Sequence, residues 1–257
     1  LSKHSKHPEA KAQRVGQSNR LFQLNRNTLF NKLFAFFKFT HTIEPMKITV
    51  YNMKGSAGKT PIATNIALDK EYALATNEPY NLLDAILPEE RLFSLQPDEE
   101  FPEFPAEIDV VFDLAGLMSR DARPSIISAV SQSDVVIVPI YNELKCIHAG
   151  IHTIREIQPY NKDIVVVATK LNKRKGEVFK DWADSEDAKN IKAVVDHAIG
   201  QGIPVRPLKF SRVFDTIFEQ ERSIRQMMEE DALARYTYRE VAAQFDSLLS
   251  YLEQNYA

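Results

Sequence analysis

A single cysteine, Cys146, in 257 residues leaves no pair for a disulfide framework, and none of the cysteine clusters that hold zinc or iron–sulfur centres. The lone thiol fits a reducing compartment. Glycine is sparse, eight in all, and no periodic or low-complexity tract is present, which excludes collagen-like and repeat architectures. The apolar stretch near the N-terminus, Leu33-Phe34-Ala35-Phe36-Phe37, falls far short of the roughly 20 residues that span a bilayer. No small-residue cleavage site follows it, so a secretory signal is a poor match. What is present is ordinary for a globular protein: 44% hydrophobic and 26% charged residues. At roughly 150 residues per domain the length suits one α/β core.

Charge is unevenly placed. Residues 1–45 carry eight Lys/Arg against Glu9 and Glu44, a net of +6, whereas the remainder has a net of -9. Met46 stands directly before the first strand-like run. Three readings of this head stay open: upstream sequence preceding a start at Met46, a solvated basic arm for nucleic acid or lipid, or a short amphipathic helix at a membrane surface. The domain proper is expected over 46–257.

From Met46 onward, strands alternate with helices. Ile48–Asn52 is a β-rich run, followed by a Gly-containing turn and a helix from Thr60 to about Lys70. Tyr72–Thr76 reads as a second strand, and Tyr80–Leu87 as a short helix with Leu82, Leu83 and Ile86 on one side. Residues 88–107, interrupted by Pro97, Pro102 and Pro105, are expected to form an acidic connection without a long element. Ile108–Asp113, Val135–Ile140 and Ile164–Ala168 are Val/Ile-rich strands, with a weaker sixth at Pro204–Leu208. Between them lie helices at Pro124–Val130 and Glu143–Ile157. A terminal helix runs from Asp231 through Val241, Phe245, Leu248 and Leu252. Continuous apolar strands alternating with helices predict a single α/β domain, its mostly parallel twisted sheet covered on both faces.

The chemistry begins at Met53-Lys54-Gly55-Ser56-Ala57-Gly58-Lys59-Thr60, between a strand and a helix. Such a loop curls its backbone N–H groups around phosphates, and the following helix adds its positive end. Lys59 would neutralise the β- and γ-phosphates, and the Thr60 hydroxyl would ligate Mg²⁺. The plain phosphate-loop pattern wants Gly at position 53, where this chain has Met. The competing reading, a glycine turn before a basic helix start, explains neither the spacing nor the strand–helix context.

Lys54-Gly55-Ser56-Ala57-Gly58-Lys59-Thr60 resembles the deviant Walker A loop of the ParA/MinD ATPases, Lys-Gly-Gly-x-Gly-Lys-Thr/Ser, departing at Ser56. Asn65-Ile66-Ala67 is similar to the Asn-Leu-Ala of the helix that follows. The resemblance extends roughly over residues 46–230 and implies a P-loop NTPase fold. Under it, Lys54 is the signature lysine reaching across a nucleotide-sandwich dimer. Gly55, Ser56, Ala57, Gly58, Lys59 and Thr60 hold phosphate. Asp113, at the end of a Walker B strand, orders the water shell of Mg²⁺. Val166–Asn172 resembles the segment presenting an Asn, here Asn172, to adenine, and Pro207–Val213 the second segment lining the base. The family's Asp-x-Asp-Pro is replaced by Thr76-Asn77-Glu78-Pro79, leaving Glu78 to orient water through one more methylene and implying slow hydrolysis.

The resemblance further implies ATP and Mg²⁺ as ligands, an ATP-dependent homodimer, a centromere-binding ParB-like partner, non-specific DNA, and a cytoplasmic, nucleoid-associated role in plasmid or chromosome partition. DNA needs a basic surface; Lys170, Lys173, Arg174, Lys175, Lys209 and Arg212 are the candidates. A MinD-like positioning role needs a basic membrane helix, yet the terminal helix has no Lys and sets Arg235 and Arg239 against Asp231, Glu240, Asp246 and Glu253. That, a small-molecule ligase or synthetase of the same fold, and a degenerate nucleotide-dependent regulator remain as alternatives. His148 and His152, spaced i,i+4, are expected to be packing residues rather than metal ligands.

Overall fold

The computed structural model describes residues 45–78, 82–116 and 122–257. The basic head, residues 1–44, lies outside them, as does Pro79. Seven strands, β1 (Lys47–Val50), β2 (Ala73–Thr76), β3 (Leu92–Ser94), β4 (Val110–Asp113), β5 (Val135–Ile140), β6 (Ile164–Leu171) and β7 (Val205–Lys209), form one sheet in the order β3-β2-β4-β1-β5-β6-β7. Every neighbouring pair is parallel. All residues of β2, β4 and β5 are buried, as expected of apolar strands covered on both faces.

The helices are α1 (Lys59–Lys70), α2 (Arg123–Ser131), α3 (Leu144–Ile157), α4 (Glu186–Ala198), α5 (Val213–Gln220), α6 (Ile224–Glu230) and α7 (Ala232–Tyr256). Alternate strand residues sort into two cores. Ile48, Val50, Val111, Ile137, Val165 and Val167 join Ile62 and Ile66 of α1 and Phe245, Leu248 and Leu252 of α7. On the other face α3 crosses β5 so closely that a Cβ on Gly150 would lie 2.4 Å from Ile140 Cδ1. Asp231 starts α7 by accepting from the N–H groups of Leu233 at 3.0 Å and Ala234 at 3.1 Å.

One expectation is refined and one corrected. The segment 88–107 holds no long element but contributes a short seventh strand, β3, whose Phe93 is buried and packs edge-on against Phe104 at 5.6 Å. Three residues are too few to display alternation, and the neighbouring prolines mask the strand. Among the described residues of Tyr80–Leu87, only a 3-10 turn forms, at Leu83–Ala85. Leu83 and Leu87 are buried and Ile86 packs beside them, but Leu82 is exposed and Pro88 is extended, which ends the segment after one turn.

The topology also places the site. From β1 the chain moves to one side of the sheet, returns through β4, then builds β5, β6 and β7 on the other side. In open parallel sheets the crevice outside the carboxyl ends at such a reversal is where ligands bind.

Candidate functional site

The loop between β1 and α1 is fixed at three points. Asn52, fully buried, donates to Pro139 O at 2.7 Å and accepts from Lys54 N at 2.8 Å, tying the loop's start to the end of β5. Met53 N donates to Thr153 Oγ1 on α3 at 3.1 Å. Thr169 Oγ1, at the end of β6, donates to Ala57 O at 3.1 Å. Within the loop Ser56 and Gly58 take left-handed φ values of 62° and 96°. Ser56 therefore adopts the conformation for which the deviant Walker A pattern reserves glycine.

Helix α1 opens from Gly58 with no side-chain cap and no acidic residue in its first turn. Its leading N–H groups and the positive end of the helix dipole thus face the loop, an arrangement that favours an anion. Lys59 is buried, its Nζ 3.5 Å from Lys54 O. Burial lowers its pKa, against the opposing pull of Asp113 and Glu78.

Asp113, the last residue of β4, is fully buried, and neither carboxylate oxygen has a hydrogen-bond partner within 3.5 Å. Burial raises its pKa to about 7, although the neighbouring Thr60 hydroxyl and Lys59 ammonium favour the ionised form. A buried carboxylate without a partner is costly. Beside a hydroxyl at the end of a phosphate-type loop, its chemistry fits the hard, oxygen-seeking shell of Mg²⁺.

A cavity of about 350 Å³ runs from this loop along α1 to β7 and α5. Gly55, Ser56, Gly58, Lys59, Thr60 and Glu78 line it at the loop; Thr169, Lys170, Leu208, Phe210, Phe214 and Asp215 are among its other walls. The structure thus brings Glu78 to the cavity that the loop lines. Ala57 is buried behind the loop rather than on the cavity wall. Lys54 is also off the wall, close enough to Cys146 to favour its thiolate although burial raises that thiol's pKa overall.

Asn172 and Pro207 do not line the cavity. Lys170 takes φ 53° at an irregularity in the β6–β7 pairing, and Asn172 Nδ2 donates to Lys170 O at 2.9 Å. Their segments nevertheless reach the cavity through Thr169, Lys170, Leu208, Phe210 and Ser211. Phe214 and Asp215 were not foreseen; the start of α5 directly after the base-lining resemblance was the available signal.

The candidate basic surface is partly neutralised. Arg174 pairs with Glu186 and Asp187, and Lys209 with Glu240. Lys170 lies over Tyr141 at 4.7 Å. Lys173, Lys175 and Arg212 make no ion pair among the described residues. His148 and His152 are both exposed, which corrects the expectation of packing: α3 turns its Cys146, Ile147 and Ile154 face inward. No group of three or more His, Cys, Asp or Glu residues able to hold a metal occurs among the described residues. No helix among them is long and apolar enough to cross a membrane.

No protein-family model and no curated protein matches the chain by sequence. Solved structures do match it. Apo McdA of Cyanothece superposes with a TM-score of 0.56 at 11% identity, covering 81% of this chain and 99% of McdA. An ATP complex of a Cyanothece McdA variant gives 0.55 at 10%, covering 82% and 97%. MinD of Pyrococcus horikoshii, complexed with Mg-ADP, gives 0.51 at 16%, covering 80% and 97%. The fold is that of the ParA/MinD ATPases. At these identities the likeness is one of architecture, and the chemistry must be argued from the side chains.

Proposed function

We propose that this chain is an ATP-dependent, dimerising switch ATPase of the ParA type, acting in DNA partition with slow hydrolysis. The observation that carries the reading is an uncapped helix start and a buried lysine on one cavity, with the buried, unpartnered Asp113 off the cavity wall but beside its lining residues Lys59 and Thr60. An anion and a cation held together would satisfy all three, as a magnesium nucleotide does.

In this reading the backbone N–H groups of Gly55–Thr60 cradle the phosphates, and Lys59 neutralises the charge that builds on the β- and γ-phosphate oxygens. The Thr60 hydroxyl and, through water, Asp113 would hold Mg²⁺. Bound there, the metal would supply positive charge that offsets the charge of the phosphates. Glu78 accepts a hydrogen bond from the attacking water and orients it. Its longer side chain, in place of the family's aspartate, makes that orientation loose and hydrolysis slow. Phe210, Phe214 and Leu208 form the apolar walls for the base. Lys54 reaches a second copy across the nucleotide, and Lys173, Lys175 and Arg212 supply the contacts to DNA backbone. A ParB-like protein is the expected stimulating partner.

Light scattering after size exclusion tests the reading on the full chain, with and without Mg·ATP and non-specific duplex DNA, beside Lys54→Ala. The expected result is an ATP-dependent dimer that shifts onto DNA, with the variant remaining monomeric. A wild type that binds Mg·ATP yet stays monomeric and ignores DNA would overturn the switch and leave the small-molecule ligase reading.

A further inference from the structure

Asn77 is fully buried beside the cavity, between Thr76 at the end of β2 and Glu78. Buried amides persist where both their donor and acceptor sides are used. Asn77 Oδ1 accepts from Ala115 N at 2.6 Å, and its Nδ2 donates to Ser125 Oγ at 2.7 Å. Ser125, itself fully buried on α2, has Pro97 O at 2.8 Å and Ala122 O at 2.9 Å as acceptors for its own hydroxyl. One side chain therefore joins the exits of β2 and β4 and the start of α2.

What those two exits carry gives the link its meaning. The residue after Asn77 is Glu78, on the cavity wall, with its backbone N–H held by Thr76 Oγ1 at 3.0 Å. The residue after Ala115 is Gly116, packed so tightly on the phosphate-type loop that an added Cβ would lie 3.0 Å from both Gly55 N and Lys59 Nζ. Any ligand that displaces Lys59 or Gly55 must therefore move, or be accommodated by, Gly116. The Ala115–Asn77 hydrogen bond is the link through which such a displacement would reach Glu78.

We infer that Asn77 is a positioning residue that couples the phosphate-contacting loop to the water-orienting carboxylate, so that Gly116 and Glu78 respond to nucleotide as one unit. The inference rests on the ATPase reading above. It differs from a packing role because it concerns the transfer of a ligand response between two loops.

The test compares wild type, Asn77→Ala, Asn77→Asp and Ser125→Ala as full chains. Amide hydrogen exchange is followed at residues 76–78 and 114–116, with and without a slowly hydrolysed Mg·ATP analogue, together with analogue affinity and single-turnover hydrolysis. In wild type both segments are expected to change protection together. In Asn77→Ala the 114–116 segment should still respond while 76–78 does not, with affinity within about threefold of wild type and hydrolysis about 10- to 100-fold slower. Asn77→Asp keeps the acceptor for Ala115 N–H and should restore most of the joint response. Ser125→Ala removes the acceptor that anchors Asn77 Nδ2 and so loosens the amide that receives the Ala115 N–H; it serves as the milder variant should Asn77→Ala fail to fold, and it should weaken the response of 76–78 without abolishing it. Joint responses in every folded variant would overturn the coupling, as would an Asn77→Asp variant that folds but behaves like Asn77→Ala. A wild type that binds no nucleotide would instead overturn the ATPase reading, and the coupling with it.

Discussion

Asp113 offers a direct test of what the site is built for. Its carboxylate is sealed from solvent without a hydrogen-bond partner, and its pKa is raised to about 7 from an ordinary 3.8. A raised folded-state pKa means that the folded protein binds more protons than the unfolded chain between these two values. Stability in metal- and nucleotide-free buffer should therefore fall as pH rises from about 4 to about 7 and then level off. Each pH unit of displacement corresponds to about 1.4 kcal/mol, so the full effect is bounded near about 4 kcal/mol, with relaxation reducing what is observed. Asp113→Asn removes the charge at nearly constant shape. It should raise the stability of the ligand-free protein by about 1–3 kcal/mol at pH 8 and leave it nearly unchanged at pH 4. Urea unfolding across this pH range measures both limits. Adding Mg·ATP should then stabilise wild type and largely fail to stabilise the variant. Parallel pH curves for the two proteins, or a variant less stable than wild type at pH 8, would refute the view that Asp113 is held in a costly state for a ligand.

Four further outcomes follow from the geometry. Lys59→Met keeps the buried aliphatic stem and removes the ammonium, so binding of a fluorescent ATP analogue should weaken by at least about 100-fold without loss of the folded signal. Phe210→Ala should weaken the same binding by about 5- to 10-fold through loss of an apolar wall, whereas Asn172→Ala, with its amide turned to Lys170 O, should change it less than about twofold. Ser56→Gly should raise the urea midpoint by the equivalent of about 1 kcal/mol, because φ 62° strains a residue with a Cβ and suits glycine. Phe93→Ala should destabilise by about 3–5 kcal/mol, since its ring packs in the buried aromatic cluster of Phe101, Phe104 and Phe112; a loss under 1 kcal/mol would mean that β3 adds little to the sheet.

The central strands were legible because a strand buried on both faces is a continuous Val/Ile run, and Val135–Ile140 is bounded correctly by that signal alone. The loop was legible because its glycines and lysine lie between a strand and a helix. The edges of the sheet were less so. β7 is only half-buried and shows as the weaker run Pro204–Leu208, one residue out of step with Val205–Lys209, while β3, three residues long, imposes no pattern. The cavity's far wall was missed for a different reason. Phe214 reads as one more apolar residue of α5, and Asp215 as an ordinary first-turn acid. Only the packing of α5 against α1 brings them onto one cavity with Leu208 and Phe210. Asn77 was equally hidden: in sequence it fills a variable position between two residues of interest, and its significance comes from Ala115 and Ser125, 38 and 48 residues away.

The arrangement of charge favours a phosphate-type loop kept for use over one kept as scaffold. A scaffold loop would gain by neutralising its buried groups internally. Here each has an available remedy that is not taken. Lys59 feels the carboxylates of Asp113 and Glu78, yet its nearest hydrogen-bond contact is a long one to Lys54 O. Asp113 sits beside Thr60 and Lys59 and still has both oxygens unpartnered. Meanwhile the backbone around them is over-determined by Asn52, Thr153, Thr169 and Asn77, whose hydrogen bonds measure 2.6–3.1 Å. Rigid backbone with unsatisfied side chains is the signature of preorganisation, in which the protein bears the desolvation of a lysine and an aspartate before a ligand arrives. A ligand carrying both signs, polyanionic phosphate with its divalent cation, relieves both at once. A bare anion would meet the charge of Lys59 and leave that of Asp113 opposed, so nucleotide affinity should depend strongly on Mg²⁺ in wild type and only weakly in Asp113→Asn. Equal Mg²⁺ dependence in the two proteins, measured by titration calorimetry with and without a chelator, would show that the aspartate is buried for some other purpose.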